Sequence, residues 1–517
     1  MLERLLKVKG LEAIRREAAA DQPNALKRSL KIKDLVAIGV GFVIGSGIFV
    51  TAGLAAAGSG DYPAAGPAVT VSFIIVALAC LLCVLCYAEF ASYIPSAGSA
   101  YTYAYASLGE FTAWILGWNL ILEYMVGNIA VAISWSGYFA SICRGFGLDI
   151  PTWLLHSYFG ADPQVIASAP QILGVPIVFN LPAVLIVLLI CAMVIRGMRE
   201  SANVNDALVV LKILIILGVI GLGACYVNPQ NWIPFAPNGL AGIQAGAAIV
   251  FFAYIGFDAI TTVAEETENP KRDLPLGMII TLVISTTLYV ATSAVLTGMV
   301  PYSQLGTSDP MATAFELLNM PMVAAFISIG AVISMTAVLI IFQIAQPRIF
   351  FAMARDGLLP KSLSKVHPVY RTPYITTLGM AAFVTLGAGF MDLSVVIELC
   401  NIGTLFAFAA VCLGVIVMRR TRPEIEPAFR TPWVPWVPLG GILCCFYLVA
   451  GMPPITWLRF VVWVILGVVI YFAYGYRHSR LLHGGQVEAA TESAVDPIEA
   501  ETEREAEPES KESKASE

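Results

Sequence analysis

Twelve stretches of roughly 20 apolar residues follow one another along this chain, and they constrain its fold more than any other feature. They run near 35–57, 66–90, 108–140, 179–199, 203–226, 239–267, 275–300, 321–350, 373–390, 394–418, 433–452 and 456–475. A helix rises about 1.5 Å per residue, so each stretch has the length needed to cross a hydrocarbon core about 30 Å thick. Inside that core backbone polar groups must be satisfied within the segment itself, which leaves helices as the available structure. The predicted class is an all-α membrane protein with twelve transmembrane helices, its main partner the lipid bilayer. Composition agrees: 58% of residues are hydrophobic and 13% charged, against roughly 45–50% and 25% in soluble chains. Such a chain is not a disordered protein, a coiled coil, a nucleic-acid binder or an ordinary cytosolic enzyme. The first 33 residues are charged and lack an apolar core followed by a small-residue cleavage site, so no removable signal peptide is expected.

Lys and Arg placement sets the orientation. Before residue 487 there are 27 such residues, of which 24 lie in the N-terminal segment 1–33 and in every second loop after it. The alternate loops hold Arg144 and Arg459, and Lys212 alone lies inside a span. The pattern predicts that both termini are cytoplasmic, and an odd number of spans would scramble it. The net charge of −6 misleads, because residues 487–517 hold 11 acids and three bases and leave the rest weakly basic. This tail has almost no large apolar residue and is expected to be a solvated, disordered cytoplasmic appendage.

Two spans carry residues that disfavour a continuous helix. The first contains Gly45-Ser46-Gly47 at mid-depth, and the sixth contains Ile255-Gly256-Phe257-Asp258. Each interior glycine costs about 1 kcal/mol against alanine in a helix, and unwound backbone is tolerated at that depth only where it lines a cavity or is buried in protein. Two interrupted spans, five apart, point to inverted repeats with a site between them; close helix packing is the alternative use of such glycines. A break presents the N–H groups of one half-helix, which suit a carboxylate, beside the carbonyls of another, which suit an ammonium. Together they suit a zwitterion. Residues 95–105 and 308–318 form matching short amphipathic connectors, expected on opposite sides of the membrane.

The ten cysteines suggest little chemistry. Cys80, Cys83 and Cys86 have helical spacing, but only Glu89 is near enough to join them, so a metal site is disfavoured. A disulfide between Cys143 and Cys225 is an open alternative. The four histidines form no HExxH, and no cofactor is called for.

These residues resemble the amino acid–polyamine–organocation (APC) superfamily, more narrowly its cationic amino acid transporter branch and bacterial homologues. The likeness runs from about Leu30 to His478 and rests on Gly45-Ser46-Gly47-Ile48-Phe49, Tyr87-Ala88-Glu89-Phe90, Gly98-Ser99-Ala100-Tyr101, Phe251 through Asp258, Glu265-Glu266 with Asn269-Pro270, and Ala354-Arg355-Asp356-Gly357. It departs at Asn119, where relatives often carry an acid, and at Pro347, which is placed to kink span eight. The resemblance implies the LeuT-like APC fold: a five-plus-five (5+5) inverted repeat over 34–226 and 239–418, with two further helices over 432–478. It implies alternating access of a small amino acid across the plasma membrane. Carried over, Val43, Ile44, Gly45, Ser46 and Gly47 would hold the substrate carboxylate, and Phe252, Ala253 and Ile255 its ammonium, with Phe252 also a gate. Asn119, Glu123, Asp258 and Phe342 would sense the side chain.

Ionisable residues at membrane depth are costly and usually functional. Lys212 is the plainest. The resemblance implies that its ammonium replaces a coupling cation, donating to carbonyls near Gly41 and Ile44 and to Ser334 or Thr336, so that proton exchange on Lys212 couples uptake to the proton gradient. Glu123 has a second reading as a structural partner of Lys212, and Asp258 as a helix cap. Glu89 reads as gating or structural, and Glu398 has no assigned role. The expected function is a proton-coupled amino acid permease. Alternatives are an amino acid or polyamine exchanger, a sodium-coupled permease and a nontransporting amino-acid receptor; a small membrane subunit is an open question. No nucleophile–base or metal cluster suggests an enzyme.

Overall fold

The computed structural model describes residues 5, 7–10, 30–59, 62–94, 99–196, 202–365, 373–424 and 426–483. Most of the basic N-terminal segment, Gly98, Arg199, Arg371 and the acidic tail lie outside the described residues, as do the side chains of Glu265 and Arg355. Each of the twelve apolar stretches is helical. The chain runs through α1 (Ile32–Val43), α2 (Ala52–Ala57), α3 (Val69–Tyr93), α4 (Ser99–Ser107), α5 (Glu110–Gly145) and the short α6 (Pro163–Ser168). After a two-residue hairpin of β1 (Gln171–Ile172) and β2 (Val175–Pro176) come α7 (Leu181–Ile195), α8 (Ala202–Ala224), α9 (Gly239–Val250), α10 (Pro270–Met299) and α11 (Pro310–Leu317). The last long elements are α12 (Pro321–Arg355), α13 (Tyr374–Phe390), α14 (Leu393–Thr421), α15 (Trp436–Ala450) and α16 (Pro454–Ile470).

Among the described residues, eight helical segments are long and apolar enough to cross a membrane, and Leu181–Ile195, Leu208–Ala224, Tyr374–Phe390 and Trp436–Ala450 are shorter apolar helices. Leu185, Leu188 and Leu189 on α7, Leu214 and Leu217 on α8, and Val462, Ile465 and Val469 on α16 point outward. In water such a belt would drive aggregation; in hydrocarbon it is the solvent-matched surface. The chain is a multi-pass membrane protein.

The interior is assembled around α5, which packs along α12 and α14, while α3 packs along α10. Glycines let these helices meet closely: a Cβ on Gly117 would lie 2.9 Å from the Met353 sulfur, and one on Gly387 would strike Ile129. The connectors fall on opposite ends as expected. The α4 carbonyl of Tyr105 accepts from Lys9 N–H, whereas α11 faces the far end of α5, where Arg144 pairs with Asp309 at 3.0 Å.

Helix α12 runs from Pro321 to Arg355 with Pro347 inside it. Cys143 and Cys225 are free thiols, not a disulfide. Cys83 makes contacts across helices, its Sγ lying 3.8 Å from Cys445 and 3.9 Å from Cys412, all deeply buried. Such thiols pack as small apolar groups; among the described residues no set of three or more ligands has the arrangement of a metal site.

Candidate functional site

Both interrupted spans break where the glycines are. The first helix ends at Val43, Ile44 leaves helical geometry (φ −82°, ψ 80°), and the chain resumes as a π-helical turn over Gly47–Thr51 before α2. In the sixth span α9 gives way to a 3₁₀ turn over Phe251–Tyr254, Ile255 is extended, and Gly256 takes φ +117°, which favours glycine. A 3₁₀ segment over Phe257–Glu266 follows. Val263 (φ −99°, ψ 16°) leaves helical geometry and divides it into two short pieces, the length 3₁₀ helix ordinarily takes.

The two breaks lie against each other. A Cβ on Gly47 would sit 2.4 Å from Ala253 Cα, and one on Gly256 would meet Phe42 at 3.3 Å. Tyr289 from α10 fastens the pair: its hydroxyl reaches Val43 O at 2.7 Å and Ala253 O at 2.8 Å. One phenol thus holds the carbonyl ends of both broken helices. Two other buried tyrosines brace the same region, Tyr138 donating to Phe49 O at 2.7 Å and Tyr254 to Phe73 O at 2.9 Å. Helix starts leave N–H groups without intrahelical partners, and helix ends leave carbonyls. Here a start and an end of each kind are brought together, with the Gly45 N–H donating to Val43 O at 3.0 Å.

With this geometry in view, similarity to known proteins becomes decisive: residues 30–473 match the family described as amino acid permease. The chain belongs to the amino acid permease family. The branched-chain amino acid permease BcaP of Bacillus subtilis (strain 168) is 44% identical over 465 residues, covering 90% of this chain and 96% of its own. The methylthioribose transporter of the same organism is 45% identical over 478 residues, 92% of this chain and 99% of its own. Cationic amino acid transporter 4, vacuolar, of Arabidopsis thaliana is 39% identical over 415 residues, 79% of this chain and 66% of its own. These relatives are transporters by name, so the permease is not an enzyme.

The permease brings most of the expected residues together. Val43 through Gly47, Phe252, Ala253 and Ile255 form the crossing of the two breaks, all of them buried. Phe342 on α12 packs edge-on against Tyr124 at 5.6 Å and faces Gly127. Glu123 on α5 and Asp258 in the first turn of the 3₁₀ segment are buried and close enough for their charges to interact, with Tyr87 and Tyr124 beside both. Asp258 stands at a helix start, where the local dipole favours a negative charge. Asn119, one turn before Glu123, is fully buried, and neither its amide nitrogen nor its oxygen has a hydrogen-bond partner. The Tyr87 hydroxyl is likewise unpartnered.

Lys212 enters from α8, only 2% exposed, and donates to Gly41 O at 2.9 Å, three residues before the first break. Thr336, one of the two expected side-chain acceptors, donates to Val332 O at 2.7 Å and accepts from Trp135 at 2.9 Å. Ser334 is buried with its hydroxyl unpartnered.

Glu89 proves to be a clamp. Arg419 grips it with two bonds of 2.7 and 2.8 Å, and Thr431 N–H adds a third at 2.8 Å. Glu398 accepts from Thr456 and has Arg459 at 3.8 Å. Sequence reasoning missed Tyr289. Its signal is a lone phenol within the apolar run of span seven, since a buried hydroxyl requires a partner.

Proposed function

We propose that the protein is a proton-coupled permease that moves an amino acid across the plasma membrane by alternating access. Twelve helices cross the bilayer, both termini are cytoplasmic, and segments 34–226 and 239–418 are five-helix inverted repeats followed by helices over 432–478. The observation that carries this reading is the pair of broken helices held side by side by Tyr289. The N–H groups following the first break, around Gly45 to Gly47, take the substrate carboxylate, and carbonyls at Phe252, Ala253 and Ile255 take its ammonium. Phe252 closes over the solute. Asn119, Glu123, Asp258 and Phe342 surround its side chain, with two carboxylates that favour a basic group and Phe342 that favours an apolar one. Lys212 is charged when it holds the Gly41 carbonyl. Losing its proton to the cytoplasmic side releases the first helix, which joins proton movement to the rocking of that segment.

Support for an amino acid rather than a neutral sugar comes from the two-ended site: methylthioribose, named for one relative, has neither pole. The experiment is uptake of radiolabelled amino acids and methylthioribose into proteoliposomes, with and without an imposed pH gradient. The reading expects an amino acid to accumulate with an inward proton gradient. It also expects Lys212→Ala to lose the response to the gradient. Uptake by Lys212→Ala that still follows the gradient removes the coupling role; accumulation of methylthioribose alone removes the substrate class.

A further inference from the structure

Helix α7 is too short for the bilayer it crosses. Its 15 residues, Leu181–Ile195, rise about 22 Å against a hydrocarbon core about 30 Å thick. Arg196 follows its last turn, and a charged side chain keeps to the membrane surface. The first turn therefore begins about 8 Å beneath the opposite surface. Its contacts agree. Asn180 Oδ1 accepts from Ser136 at 2.6 Å, about 14 Å below the end of α5 at Gly145. The Asn180 N–H donates to Gly389 O at 3.0 Å, at the end of α13, which is itself only 17 residues long.

The chain reaches that sunken start through Val175-Pro176-Ile177-Val178-Phe179, a run without a polar side chain. Its backbone is paired, Ile177 N–H with Pro170 O at 2.9 Å and Phe179 N–H with Trp153 O at 3.1 Å, as hydrocarbon requires. Residues 176–180 can climb at most about 16 Å, so the hairpin of β1 and β2 lies within reach of the boundary between acyl chains and headgroups. Its flank faces lipid: Leu185 and Leu189 on α7 and Phe390 at the end of α13 are exposed.

Ile172 pairs with Val175, leaving Leu173-Gly174 as a two-residue turn with φ +51° and +79°. Such turns favour Asn-Gly, and a leucine in the left-handed region is strained. Leu173 is nevertheless 99% exposed, and Val175 62%. Asparagine would suit both the backbone and water better, so neither accounts for the leucine; apolar surroundings at the tip do. No Lys or Arg lies between Arg144 and Arg196, which leaves apolar insertion rather than attraction to anionic headgroups.

We propose that the β1–β2 hairpin is a lipid anchor, with Leu173 and Val175 inserted among the acyl chains of the leaflet opposite the N-terminus. The strand behind the tip continues into Phe179 and Asn180, which hold Trp153 O and Leu155 O at 3.1 Å each. Leu155, with His156 and Ser157, lines a cavity of about 570 Å³ that opens on this face. The anchor thus ties one wall of that cavity to the bilayer. The inference rests on α7 crossing the membrane and is independent of the solute carried.

Spin labels on purified full-length protein in nanodiscs test it, on a Cys225→Ser background that removes the exposed native thiol. Labels at Leu173→Cys and Val175→Cys are expected to collide more with oxygen, which partitions into lipid, than with a water-soluble nickel chelate. Gln164→Cys, exposed on α6, shows the reverse, and Leu188→Cys on α7 reads deeper in lipid than the hairpin. The hairpin values are the same in phosphatidylcholine alone and with phosphatidylglycerol added. Leu173→Asp lowers the inserted fraction reported from Val175→Cys about tenfold or more, the size of losing one buried leucine. A label at Leu173 as open to nickel as one at Gln164, insertion only in the anionic lipid, or a label at Val175 unmoved by Leu173→Asp would each overturn the anchor. A label at Leu188 found in water would overturn the crossing by α7, and the anchor with it.

Discussion

The two faces of the molecule are built differently. On the N-terminal face, polar groups are tied to one another across the bundle. Lys9 pairs with Asp356 at 3.5 Å, Tyr101 donates to Asp356 at 2.7 Å, and Arg480 N–H donates to Asp356 O at 3.1 Å. Glu110, buried at the start of α5, accepts from Tyr105 at 2.8 Å, Tyr471 at 3.0 Å and Ser479. Glu89 and Arg419 add a third fastening. The opposite face instead carries the 570 Å³ cavity, and its two bases, Arg144 and Arg459, are held by acids on its rim and floor. One face is stapled and the other open, with the broken helices buried between them. A transporter in which access alternates has this asymmetry in each end state, with the roles of the faces exchanged in the other.

The strongest way to break the comparison is to cut the deepest fastening. Arg419→Ala leaves the buried Glu89 carboxylate without its counterion and is expected to cost roughly 3 kcal/mol, the low end for such a pair because Arg419 keeps some solvent. Chemical denaturation in detergent measures it. Next is the pivot: Tyr289→Phe removes the hydroxyl shared by the two broken ends. Substrate affinity is expected to fall about tenfold, the consequence of losing a buried hydrogen bond shared by the two carbonyl ends, while overall stability changes little more than the same energy allows. Equilibrium binding beside a thermal melt separates the two. Smaller effects come from Lys9→Ala, because a partly exposed pair is worth at most about 1 kcal/mol. A few-fold rise in labelling of a reporter cysteine on the N-terminal face is the expected outcome.

The open face offers a pH test of similar size. Burial, and to a lesser degree Glu316, push the Asp309 carboxyl up to about 6 against the opposing pull of Arg144. A carboxyl raised in the folded state binds more protons there than in the unfolded chain, so its contribution favours the folded state at low pH and is lost as pH rises through about 6. The Arg144–Asp309 link follows the opposite course, being present above about 6 and weakened below it. Distances between labels on α5 and α11 are expected to lengthen between pH 7 and pH 5, and Asp309→Asn is expected to abolish that change.

Much of this was legible in the chain. Apolar length located the long helices because a bilayer fixes how many residues a crossing needs. The breaks at Gly45–Gly47 and Gly256 were legible because glycine is costly in a helix interior and must be repaid by geometry; Gly256 at φ +117° is such a case. What stayed hidden depended on contacts between distant segments. Nothing local in Leu288-Tyr289-Val290 says that the phenol reaches two carbonyls 36 and 246 residues away. Asn401 reads as an ordinary polar residue until Ala248 and Ile249 fix its amide. The likeness to cationic transporters, joined here by relatives named for branched-chain amino acids and methylthioribose, identifies a family rather than a substrate.

The most direct measurement is a high-resolution structure of the protein in lipid with an amino acid bound. The account predicts density for the solute at the crossing of the two breaks, its carboxylate on the N–H groups of Gly45 to Gly47 and its ammonium on the carbonyls around Phe252 to Ile255. Continuous helices through Gly47 and Gly256, or a solute seated elsewhere while the crossing stays closed, would contradict it.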